Sequence, residues 1–114
     1  MAGQKNWEVD YNTTFTFTVE YKDPDGNVIQ IPNSSAKLQV RDAKGEKLAF
    51  TLTSPNGGII INDTLGKLTV KMTPTQTSKL FYPKSTYDLM LTDSNLNKIK
   101  LIGGYITLNK TVTI

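Results

Sequence analysis

Apolar and polar residues alternate along most of this chain. Phe15, Phe17, Val19 and Tyr21 are separated by Thr16, Thr18 and Glu20, and the same spacing returns at Ala36, Leu38 and Val40, at Leu48, Phe50 and Leu52, and at Leu68, Val70 and Met72. A period of two puts successive side chains on opposite faces of an extended backbone, so each run predicts a strand with one buried and one wet face. Trp7, Val9 and Tyr11 alternate as well, which makes residues 1–12 a first edge strand or an N-terminal arm. Turn chemistry separates the runs: Asp23-Pro-Asp-Gly-Asn27, Asp42-Ala-Lys-Gly45, Pro55-Asn-Gly-Gly58, Asn62-Asp-Thr-Leu-Gly66 and Asp93-Ser-Asn-Leu-Asn97. Proline presets one turn dihedral, and glycine accepts the positive φ that tight connections demand.

Shorter segments complete the pattern. Val28 to Ile31 predicts a short strand after the first turn. Ile59 to Ile61 is continuously apolar, as in a strand covered on both faces or an edge strand that switches sheets. Thr73-Pro-Thr-Gln76 predicts one short helix, with Thr73 as the cap, Pro74 at the first helical position and Gln76 completing a capping box. Tyr87, Leu89 and Leu91 then point inward, with Asp88, Met90 and Thr92 outward. Ile99 and Leu101 continue a face until Gly103-Gly104 interrupts the period, predicting a bulge or kink before Tyr105, Ile106 and Leu108. Thr111 to Ile114 reads as a closing strand. About seven to nine short strands in this length is the count of an immunoglobulin-like antiparallel β-sandwich, with a small barrel as the alternative. The whole chain, residues 1–114, reads as a single domain.

Composition narrows the chemistry. With no cysteine and no histidine, thiolate nucleophiles, imidazole bases, disulfides and zinc sites built on those ligands are unavailable. The ten carboxylates lie mostly beside Gly, Asn or Pro, where such side chains bond local backbone N–H groups. The expectation is therefore a non-enzymatic chain without cofactor or metal. Asp23, Asp25 and Asn27 share the opening spacing of a calcium loop, yet Val28 and Ser34 stand where that loop needs glycine and a bidentate glutamate.

Twelve of the thirteen basic residues are lysines, spread along the chain, and Arg41 is the single arginine. A nucleic-acid surface calls for a basic stripe with arginines and stacking rings. The dispersed lysines read instead as a coat on polar strand faces that discourages edge-to-edge aggregation. No apolar run reaches the roughly 20 residues of a membrane-spanning helix, and residues 1–6 lack a hydrophobic signal core, so the expectation is a soluble chain made in the cytoplasm.

The order of the segments is distinctive. An early alternating strand, Asp23-Pro-Asp-Gly-Asn27, the Val40-Arg41-Asp42-x-x-Gly45 turn, Phe50-Thr-Leu-Thr-Ser54, Asn56-Gly-Gly-Ile59, Asp63-x-x-x-Gly-Lys-Leu-Thr-Val70, a Thr-Pro helical turn and Tyr87-Asp-Leu-x-Leu-Thr92 follow in turn. This order, across roughly residues 13 to 108, resembles a family of small tailed-phage virion proteins with an immunoglobulin-like fold, and the N-terminal domain of phage baseplate upper proteins, which mount receptor-binding proteins on the tail. The resemblance implies a structural virion protein synthesised in the host cytoplasm. Baseplate upper proteins continue into a further part where this chain stops at Ile114, which favours a separate small subunit. Its role would be a tail, baseplate or tail-fibre adaptor, or else a capsid decoration or neck protein. Its partners would be other virion proteins, met in several copies, rather than nucleic acid or membrane. The family carries no catalytic residues to transfer. Trp7, Tyr11, Phe81, Tyr82 and Tyr105 lie at segment ends and are the interface candidates, Trp7 with a core plug as its other reading. A carbohydrate-binding module, with Trp7 and the tyrosines as a stacking platform, is the reading from another class.

Overall fold

The computed structural model describes residues 3–31, 33–54, 57–62 and 64–109. The strand expected over residues 111–114, and Pro32, Pro55, Asn56 and Asp63, lie outside the described residues. Among the described residues, nine strands and one helical turn follow in order: β1 (Gly3–Gln4), β2 (Trp7–Asp10), β3 (Phe15–Glu20), β4 (Ser35–Asp42), β5 (Leu48–Thr53), β6 (Ile59–Asn62), β7 (Lys67–Met72), α1 (Pro74–Thr77), β8 (Lys84–Thr92) and β9 (Lys98–Asn109).

They form two sheets. One has the order β9-β8-β4-β5, with β1 and β2 one after the other along the outer edge of β9; the other is β3-β7-β6. Lettered from β2 as A to β9 as G, with β5 as C′, the sheets read A-G-F-C-C′ and B-E-D; G-F-C-C′ facing B-E-D matches the sheet order of an immunoglobulin-type sandwich, with A here on the G edge instead of beside B. All pairings are antiparallel except those of β1 and β2, which run parallel to β9. Residues 1–12 thus supply a sheet edge where they are described, and β5 to β6 is the step between sheets that the isoleucine run suggested.

Alternation places the core. Leu38, Val40, Leu52, Leu89 and Leu91 from the larger sheet meet Phe17, Ile59, Leu68, Val70 and Met72 from the smaller one, all buried. Each such side chain contributes about 1.5–3 kcal/mol through burial. The helical turn has both halves of its capping box: Gln76 N–H donates to Thr73 Oγ1 at 3.3 Å, and Thr73 N–H donates to Gln76 Oε1 at 2.9 Å. It carries the chain from β7 to β8, from one sheet to the other.

Three expectations change. Val28 to Ile31 forms no strand; a single bridge joins Lys22 to Val28, and the segment instead lays Ile31 into the core. The irregularity in β9 falls at Leu101, since Leu89 pairs with Ile102 and Met90 with Lys100. An extra residue there lets both Leu101 and Ile102 reach the core, two positions before the glycine pair. Finally, the lysines do not guard the edges. Lys37, Lys67, Lys71, Lys84, Lys98 and Lys100 all lie on inner strands, whereas the edge strands β2, β3, β5 and β6 carry none.

Candidate interaction surfaces

Three turns share one construction. In each, an aspartate oxygen accepts the N–H groups two and four residues on: Asp23 from Asp25 and Asn27 (3.0 and 2.9 Å), Asp42 from Lys44 and Glu46 (3.1 and 2.8 Å), Asp93 from Asn95 and Asn97 (2.9 and 2.9 Å). The bond from Glu46 N–H is the main cause holding the Asp42 carboxyl below its ordinary pKa. These carboxylates organise backbone, as the turn reading of the sequence holds.

The fourth residue of each turn has positive φ: Gly26 at 87°, Gly45 at 76° and Leu96 at 67°. Leucine pays a steric cost there that glycine escapes. Leu96 is also 81% exposed, so it loses little packing on truncation. Leu96→Gly is expected to raise stability by about 0.5–1 kcal/mol after the extra chain entropy of glycine is deducted. A urea melt of the variant beside the wild type measures it.

Leu96 has company. Exposed Val28 and Leu65 stand on the connections after β3 and β6. Glu20 pairs with Lys67 and Thr92 with Lys98, which brings the turns after β3 and β6 together and sets the turn after β8 at the end of its hairpin. A cavity of about 250 Å³ lined by Tyr21, Ile29, Asp93 and Ser94, among others, joins the β3 and β8 connections. One end of the sandwich is therefore tipped with three aliphatic side chains.

The five aromatic candidates divide. Trp7 faces inward: its ring stacks on Phe17 at 4.6 Å and meets Phe15 edge-on at 5.7 Å, while its Nε1–H donates to the Tyr87 hydroxyl at 2.8 Å. Tyr11 packs against the core beside it, and its N–H donates to the Asn109 carbonyl. Phe81 and Tyr82 lie beyond the helical turn, where they line a groove of about 390 Å³ with the Asp42–Lys47 loop and Lys84. The Lys84 ammonium also sits 4.6 Å above the Tyr105 ring. Tyr82 and Tyr105, 61% and 39% exposed, are the two of the five on the surface.

A further surface carries no aromatic ring. Ile60 is 66% exposed on edge strand β6, beside a groove of about 330 Å³ lined by Ile31, Ser35 and Ser54 among others. Its sequence signal, three successive isoleucines, left a covered strand and a sheet-switching edge strand both open, and β6 is the edge strand.

No protein-family model and no curated protein matches the chain.

Proposed function

We propose that the chain is a non-enzymatic structural component of a tailed-phage virion, joining tail or baseplate to fibre through protein–protein contacts. The observation that carries the binding role is that exposed Val28, Leu65 and Leu96 stand on three loops at the same end of the sandwich. Apolar side chains grouped on a rigid scaffold mark a contact surface better than the same residues scattered singly. The virion setting is supported by the order of turns and strands, which resembles that of baseplate proteins. Capsid decoration or a place in the neck would use the same surface on a different lattice.

Mass spectrometry of purified particles tests the setting, with the chain expected among the virion proteins at more than one copy per particle. Its absence from particles defeats the proposal. Gold-labelled antibody seen at the tail tip supports the adaptor role, and label confined to the capsid replaces it with decoration.

A further inference from the structure

We infer that two copies of this chain join edge to edge through β6, forming a continuous six-stranded sheet from their two three-stranded ones. The inference rests on the geometry of β6 alone and is independent of the virion reading. Lys71 N–H donates to the Gly58 carbonyl at 2.8 Å, which makes Ile59 and Val70 a pair without mutual bonds. By antiparallel alternation, Ile60 then exchanges its backbone bonds with Thr69. The N–H and C=O groups of Ile59 and Ile61 point away from β7, along the open edge of the sheet.

Edge strands are usually protected by charge, proline or a bulge. The outer edge of the other sheet, β5, has such a bulge, because Val40 pairs with Phe50 and Arg41 with Leu48, leaving Ala49 over. On β6 the residues are Ile59, Ile60, Ile61 and Asn62, with an unbroken register against β7. None of the three protections is present on that strand.

What makes a second copy the fitting occupant is the closure of the pairing. If β6 meets its two-fold mate with Ile59 opposite Ile61 of the other copy, all the open groups of both residues in both copies are satisfied. Ile60 then faces Ile60 across the axis on the outer surface, in the closer, non-bonded kind of pair. The most exposed apolar side chain on any of the strands is covered by its own equivalent, as an isologous interface requires. Outward from it lie Thr69 and Thr18, uncharged in both copies. The lysines of β7 are separated by three strand spacings, about 14 Å, which is beyond the screening length at physiological salt. Such a contact is small, so the association is expected to be weak and concentration-dependent.

Sedimentation velocity on the full chain between about 10 μM and 1 mM tests this range of affinity. The wild type is expected to shift from monomer to dimer with rising concentration. Ile60→Lys and Ile60→Glu are each expected to stay monomeric, with circular dichroism showing an unchanged fold because the side chain is already in water. Mixed in equal amounts, the two variants are expected to regain the dimer, because opposite charges then meet across the axis. A wild type that stays monomeric overturns the inference and leaves the edge to a strand from a different protein. Variants that dimerise singly, or a mixture that stays monomeric, overturn it by removing Ile60 from the axis.

Discussion

Gly104→Ala is expected to destabilise the fold by about 2–3 kcal/mol, whereas Gly103→Ala, one residue earlier, is expected to cost well under half as much. A β-carbon on Gly104 would collide with the backbone carbonyl oxygen of Lys5 and come within 2.8 Å of Asn6 Oδ1. Its φ of +154° is also one that side chains rarely adopt. The carbonyl cannot withdraw cheaply, because the N-terminal segment is fastened on both sides of it. Lys5 N–H donates to the Gly103 carbonyl at 3.1 Å, and Tyr105 N–H donates to Asn6 Oδ1 at 3.0 Å. At Gly103 the added carbon would meet only the Asp88 carboxylate and the end of the Lys100 side chain, an exposed ion pair able to swing aside. Paired denaturant melts measure the difference. Equal losses at the two positions would show that close approach to the N-terminal segment is not what Gly104 provides.

This pair of glycines also shows where the sequence was legible and where it was not. Alternation located every strand of four residues or more within the described residues except β6, which a continuous apolar run marked, because one residue's slip would turn a whole buried row into water. The caps and turns were equally readable: Thr73, Pro74 and Gln76, or Asp42 and Gly45, act on backbone within a few positions of themselves. Gly103-Gly104 was visible as an interruption, but its reason was ninety-nine residues away, at Lys5, and no local pattern carries such a contact. The bulge went to Leu101 because the pairing with β8 decided it.

The candidate surfaces divide along the same line. Trp7 stood between interface anchor and core plug from its place near the chain start, and its ring and its N–H are both taken up by partners from β3 and β8. The isoleucine run left Ile60 on either a covered strand or an edge, and only the order β3-β7-β6 makes its strand an edge and leaves it exposed. Leu96 was an ordinary turn residue until its φ set it beside Gly26 and Gly45. Hydrophobicity alone does not say which apolar residue is left over when a sandwich closes; the sheet order does.

Tyr87→Phe is expected to lower stability by about 1–3 kcal/mol and to loosen the N-terminal edge specifically. Tyr87 is 2% exposed, opposite Gly104 in the β8–β9 register. Its hydroxyl accepts from Trp7 Nε1–H at 2.8 Å and donates to the Lys5 carbonyl at 2.6 Å, so one oxygen ties β2 and the β1–β2 junction to the middle of the larger sheet. Phenylalanine keeps the ring and removes only that oxygen, leaving a donor and an acceptor unpaired in a partly buried place. The chain has one tryptophan, Trp7, so its fluorescence reports on this junction directly. Acrylamide quenching is expected to rise in the variant even under conditions where circular dichroism shows the sheets intact. Burial raises the Tyr87 pKa above its ordinary value of 10.0, against the opposing influence of the Trp7 bond. The folded chain therefore holds that proton more tightly than the unfolded chain. Its contribution is complete below pH 10 and is lost as pH climbs through the raised value, a dependence that Tyr87→Phe is expected to flatten. A variant as stable as the wild type, with unchanged quenching, would mean that ring packing on Phe15 and Phe17 holds Trp7 without the hydroxyl.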